Sequence, residues 1–272
     1  MNLTRKYMKT KLSRNSLRSV LLLLVILFAT LAANAQQEPR LYTYSTIDAL
    51  LAGVYDGDLT VAELRTKGNF GLGTFNRLDG EMIMLDGVCY HAKSDGTVVV
   101  AGPEEKTPLA YVTRFRTTAT VRPGAALSLL ELEKWLDQRL QNKNLFYAIR
   151  IDGLFRDVSV RAVPPQSEPY KPLAEVVRTQ VVHDYAETRG VLVGIRSPAF
   201  TRGVSVPGYH WHYLTGDRKH GGHVLKLTLA EGSARFQEIA ALDLQLPRSE
   251  GFAKADQERD RAQELKKVEG ER

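Results

Sequence analysis

Three Asp-Gly pairs, Asp79-Gly80, Asp86-Gly87 and Asp95-Gly96, follow one another closely, and they constrain the fold more than any other feature of the chain. An Asp-Gly pair suits the positive-φ positions of a tight hairpin turn. The runs around these pairs, 70–75, 81–85, 88–91 and 98–101, have the length and apolar character of strands. The spacing predicts an antiparallel meander. Two short helices are expected before it, over 47–52 and 61–65, the second opened by a Thr60/Glu63 capping box and stopped by Gly68. After it, a strand over 110–121 leads through Pro123-Gly124 into a helix over 129–140. Ser128 and Glu131 cap that helix, and Leu129, Leu132, Leu136 and Leu140 form one apolar stripe.

Strand signals resume over 145–151, pass an expected Asp152-Gly153 turn and continue over 154–163. Pro164 to Pro172 form a proline-rich connection predicted to separate two halves, residues 36–163 and 173–272. A helix over 173–180 and strands over 191–196, 209–214, 224–229 and 239–246 are expected beyond it. The tail from Phe252 is rich in Glu, Lys, Gln and Arg and reads as a solvated or frayed helix. The class is α+β: mostly antiparallel or mixed sheet in two packed halves, with a few short helices.

Residues 1–35 have the layout of a secretory signal peptide. Arg5, Lys6, Lys9, Lys11, Arg14 and Arg18 precede an apolar run over 20–31, and Ala33-Asn34-Ala35 supplies the small-x-small cleavage pattern. The expected location is periplasmic or secreted, with no stable membrane association after cleavage; an uncleaved anchor is the alternative. Those six side chains are among 37 Lys and Arg in the chain, and the segment contains none of the 31 Asp and Glu. The formal charge of +6 therefore belongs to the leader, and the remainder is balanced, which gives no footprint for nucleic acid or a membrane surface. The single cysteine, Cys89, excludes an internal disulfide and reads as an inert thiol on a strand.

Four of the six histidines fall within fourteen positions, His220 among them, and three make the constellation: His210 and His212 in Gly208-Tyr209-His210-Trp211-His212-Tyr213, and His223 after a glycine-rich loop over 216–222. Side chains two apart share one face of a strand, so His210 and His212 point together while Trp211 and Tyr213 point away. If the loop closes a hairpin, His223 joins them. Three imidazoles suit Zn2+ and leave a position open for chemistry. The other reading is two ordinary strand residues and a turn residue. Metal chemistry here could serve an exported metal-dependent hydrolase, or a non-enzymatic metal-binding module with His220 as a fourth ligand.

The sequence resembles the alpha-acetolactate decarboxylase family in four blocks that occur in family order. They are Gly71-Leu72-Gly73-Thr74-Phe75 through Leu78-Asp79-Gly80-Glu81, then Lys143-Asn144-Leu145-Phe146-Tyr147-Ala148-Ile149-Arg150-Ile151-Asp152-Gly153, then Gly208-Tyr209-His210-Trp211-His212, and finally Gly221-Gly222-His223-Val224. The resemblance implies decarboxylation of (S)-2-acetolactate, a small-molecule substrate, to (R)-acetoin and carbon dioxide. It implies Zn2+ on His210, His212 and His223, catalytic roles for Glu81, Arg150 and Glu269, a hydrogen-bonding role for Thr74, and a homodimer. From the residues alone Glu81 reads as a solvated side chain beside a turn and Arg150 as half of a structural ion pair. Glu269 is one of four glutamates in the tail, with Glu258, Glu264 and Glu271, and spacing from His223 favours it.

Overall fold

Turn chemistry decides the first sheet. The computed structural model describes residues 38–269; the expected leader over 1–35 lies outside that range, as does Glu271. The predicted meander is present as β3 (Phe70–Thr74), β4 (Glu81–Leu85), β5 (Val88–Ala92) and β6 (Val98–Val100), each paired antiparallel with the next. Asp86, Gly87 and Gly96 adopt the positive φ that their turns require. On the other side of β3 the sheet continues through β8 (Leu109–Thr113) and β1 (Arg40–Tyr44) to β15 (Ala241–Gln245), which pairs parallel with β1. Two short strands, β2 (Leu59–Thr60) and β7 (Lys106–Thr107), pair separately.

Both predicted early helices form, as α1 (Ile47–Leu51) and α2 (Val61–Lys67), and the Thr60/Glu63 capping box is complete. The expected strand over 110–121 is instead two strands in different sheets. After β8 the chain crosses over, and β9 (Ala119–Val121) pairs with the second sheet. Then β10 (Leu127–Ser128) leads into α3 (Leu129–Asp137), whose Ser128/Glu131 capping box is also complete.

Four of the six strands of the second sheet form a closed ring: β11 (Phe146–Ala162), β12 (Val181–Ser197), β13 (Gly208–Thr215) and β14 (Gly221–Ile239). Each pairs antiparallel with the next, and β14 returns to β11. The expected turn at Asp152-Gly153 is absent, because β11 runs straight through it. Gly153 lies between Gly190 and Gly232 on the flanking strands, and a Cβ there would come within 2.5 Å of the Glu231 carbonyl oxygen. This glycine serves a close approach of backbones rather than a turn.

Nor does the proline-rich connection over 164–172 part the two sheets, since β11 before it and β12 after it pair along nearly their whole length. It carries α4 (Leu173–Val176), shorter than the expected helix because the chain tightens into a 3-10 turn over Val177–Thr179. The tail is solvated over most of 250–260 but docks at its end. It forms α5 (Glu250–Lys254) and α6 (Ala262–Glu269), and the Leu265 and Val268 side chains are buried in one cluster with Leu173 and Val176 of α4.

The main core lies between the sheets, where Leu72, Ile83, Leu85 and Tyr111 of the first cluster with Ala148, Val193, Ile195 and Leu214 of the second. The opposite face of the ring strands buries Ile149, Ile151, Leu192, Trp211 and Tyr213 with Leu129, Leu132 and Leu136 of α3. β12 from Gly190 and β13 from His210 are thus covered on both faces, whereas β12 over 181–189 is largely exposed. No helix among the described residues is long and apolar enough to cross a membrane.

Candidate metal centre

Alternation along β13 sorts its side chains as the sequence predicts. Trp211 and Tyr213 enter the cluster under α3, while His210 and His212 face the first sheet. The β13–β14 hairpin sets His223 directly opposite His212. Ring centroids are 5.1 Å apart for His210 and His212, 5.1 Å for His210 and His223, and 5.5 Å for His212 and His223. All three rings are buried, and each offers one nitrogen within 4.8 Å of the others.

The donors fit a metal ion. His212 Nδ1 lies 2.8 Å from the Met82 carbonyl oxygen and donates to it, so the ring's lone pair sits on Nε2. That nitrogen is buried and has no hydrogen-bond partner, an arrangement that costs about 1–3 kcal/mol unless an ion takes the lone pair. Burial, reinforced by His210 and Arg161, holds the His212 imidazolium well below the usual histidine range, which keeps the ring neutral as a ligand must be. His210 Nε2 and His223 Nδ1 are 3.2 Å apart, close to the roughly 3.3 Å between two nitrogens on a tetrahedral zinc at about 2.0–2.1 Å. His220 does not join them. Its Nδ1 hydrogen-bonds the Gly96 carbonyl.

Two carboxylates approach from different parts of the chain. Glu81, first residue of β4, brings Oε2 to 3.4 Å from His212 Nε2, and Glu269, last residue of α6, brings Oε2 to 3.7 Å from His223 Nε2. Their side chains are 14% and 13% exposed. Burial pushes the Glu81 carboxyl up to about 8; Arg161 pulls it down in part, and Glu269 raises it again. Thr74 sits opposite Glu81 in the β3–β4 register, with its hydroxyl donating to the Gly80 carbonyl at 2.7 Å. It shapes the turn from which Glu81 enters the site.

Arg150 is not brought into this group. Its guanidinium is engaged by Asp152 of its own strand and by Asp86 of the β4–β5 turn at 2.8–3.2 Å, so it ties the ring to the first sheet. The arginine whose charge acts on Glu81 and His212 is Arg161, eleven residues further along β11 and paired with His223 in the register. It is only 5% exposed. Its Nη1 donates to Gln180 Oε1 at 2.9 Å, and its buried Nε has no hydrogen-bond partner. Sequence reasoning missed it. The available signal was a lone arginine inside the apolar run Val158 to Val163.

The family model for alpha-acetolactate decarboxylase matches residues 41–259. The chain belongs to that family. The alpha-acetolactate decarboxylase of Methanosarcina mazei is 45% identical over 229 residues, covering 84% of this chain and 80% of that protein. That of Klebsiella aerogenes is 43% identical over 215 residues, covering 79% and 83%. Among solved structures, the alpha-acetolactate decarboxylase of Bacillus subtilis strain 168 superposes with a TM-score of 0.83 at 38% identity, covering 85% of this chain and 99% of the other. The chain is therefore an acetolactate decarboxylase, a carboxy-lyase acting on a small molecule. The histidine trio lies inside the matched span, whereas Glu269 of this decarboxylase lies beyond it.

Proposed function

We propose that this decarboxylase converts (S)-2-acetolactate to (R)-acetoin and carbon dioxide with Zn2+ in the three-histidine pocket. One observation carries the reading: three buried imidazoles converge where a buried guanidinium and two nearly buried carboxylates also act. When bound, zinc supplies a Lewis acid at the place where negative charge develops as the carboxylate departs. The remaining work falls to the chain. Arg161 receives the substrate carboxylate, because its planar fork can offer paired donors and its Nε is not otherwise used. Its contact with Gln180 fixes the fork, so the scissile bond is oriented without tight binding of a group about to leave.

Cleavage of the bond between the carboxylate carbon and the carbinol carbon releases carbon dioxide and leaves the electron pair in an enediolate. Glu81 donates a proton to the carbinol carbon, on the face it occupies, and is reprotonated from solvent. Burial pushes the Glu81 carboxyl up to about 8, the direction a proton donor at neutral pH needs, while the charge of a bound zinc would act the other way. Glu269 adds to the rise. One-sided delivery accounts for a single acetoin enantiomer.

The same reading has the protein exported, on the strength of the leader-like residues 1–35, and dimeric, on the strength of the resemblance. Purified protein given each acetolactate enantiomer separately tests the chemistry. The expected result is rapid carbon dioxide release from the (S) form, with (R)-acetoin resolved on a chiral column. Racemic acetoin, or ester hydrolysis with no carbon dioxide released, would overturn it.

A further inference from the structure

His91 is a buried histidine outside the metal pocket that the chemistry above does not use. Its ring stacks on Phe75, centroids 4.0 Å apart, and both its nitrogens are engaged. Nε2 lies 2.7 Å from the Asp79 carbonyl oxygen and Nδ1 lies 3.0 Å from Glu105 Oε2. A carbonyl only accepts, so Nε2 carries a hydrogen and donates to Asp79, while Nδ1 faces the Glu105 carboxyl at hydrogen-bond distance. A buried side chain held on both edges and one face has one orientation.

What it holds is the turn that delivers Glu81. Three of the peptide units between Asp79 and Ile83 have partners outside the turn. The Asp79 carbonyl takes the His91 Nε2 hydrogen, the Gly80 N–H donates to the Val163 carbonyl, and the Gly80 carbonyl takes the Thr74 hydroxyl. The Met82 carbonyl then takes His212 Nδ1. Gly80 has a φ of +66°, and a Cβ there would come within 2.2 Å of the Ala92 carbonyl oxygen, so the turn cannot relax toward β5. His91 is the only side chain among these partners that ties the turn to a third element, the Gly102–Glu105 loop, where Glu105 also accepts from the Gly102 N–H at 2.6 Å.

We propose that His91, supported by Glu105, is a positioning residue for the decarboxylation: it fixes the Asp79 carbonyl and thereby the aim of the Glu81 carboxyl. The inference rests on the reading of Glu81 as proton donor. Its consequence is specific to one nitrogen. Glutamine can place an amide N–H near the position of Nε2 and keep the bond to Asp79; asparagine reaches only as far as Nδ1 and keeps the bond to Glu105.

The test compares His91→Gln and His91→Asn in the full-length protein, and repeats His91→Asn in a Glu81→Gln background. His91→Asn should lower kcat at least tenfold with KM and bound zinc unchanged, and His91→Gln should recover kcat to within about threefold of the parent. In the Glu81→Gln background, His91→Asn should change kcat by less than twofold, since there is no longer a proton to aim. Equal losses in the Gln and Asn variants, or a tenfold loss that persists beside Glu81→Gln, would overturn the proposal. Full activity of Glu81→Gln alone would instead remove the proton-donor reading, and the positioning role with it. If His91→Asn does not fold, the Thr74→Val variant gives the same cycle from the other side of the turn, with the same non-additivity expected.

Discussion

At the residue scale the site turns on which arginine faces the histidines. Arg150 and Arg161 share one strand, but that strand carries register shifts after Leu154, after Phe155 and between Ser159 and Val160. The shift between Phe155 and Asp157 leaves Arg156 as an extra residue on β11 and changes which of its residues share a face, so alternation counted from Phe146 cannot assign a face to Arg161. For the histidines no such interruption intervenes on β13, and their shared face was legible from spacing alone. The two arginines should separate cleanly by mutation. Arg161→Ala should lower kcat/KM by roughly 10- to 100-fold, the scale of one lost charge-assisted contact. Arg150→Ala should leave kcat/KM within about threefold and lower thermal stability by about 1–3 kcal/mol, through the lost ties to Asp86 and Asp152. The reverse pattern in steady-state kinetics and melting curves would return the substrate-carboxylate role to Arg150.

At the element scale the C-terminal helix decides whether the site is complete. α6 has two buried apolar residues, Leu265 and Val268, three positions apart, too few for an apolar stripe to stand out in a sequence dominated by charge. Its docking becomes visible only against α4, together with Thr46 donating to Gln257 and Arg261 donating to the Asp256 carbonyl. The end of the tail therefore reads as solvated in sequence and is seated in the fold. The Asp152-Gly153 pair misleads for a related reason: Gly190 and Gly232 become its neighbours only once the register is known. Where partners are local, as in the meander and the two capping boxes, expectation and structure coincide. Removing residues 262–272 should leave the cooperative melt within a few degrees while lowering kcat at least tenfold, and Glu269→Gln should reproduce most of that loss. An unaffected kcat in the truncated protein would take α6 out of the site.

At the scale of the whole molecule, burying ionisable groups between two sheets makes stability depend on pH. The Glu81 carboxyl is raised in the fold, so its contribution is fully present below about 4.5 and is lost as pH rises through about 8. His212 opposes it: a depressed imidazolium contributes above the ordinary histidine range and loses that contribution as pH falls. Comparing metal-free parent with metal-free Glu81→Gln isolates the first effect. Between pH 5 and pH 8 the parent should lose roughly 5 to 10 °C of Tm relative to the variant, and parallel curves would show that Glu81 is not held protonated. The central claim, that catalysis depends on an ion shared by three imidazoles, is tested most directly by following carbon dioxide and acetoin from racemic 2-acetolactate. The assay uses the purified protein as isolated, after chelation, and after one equivalent of zinc is restored. The account predicts turnover lost on chelation and recovered on zinc addition, with no recovery in His212→Ala; undiminished acetoin formation in the chelated protein would contradict it.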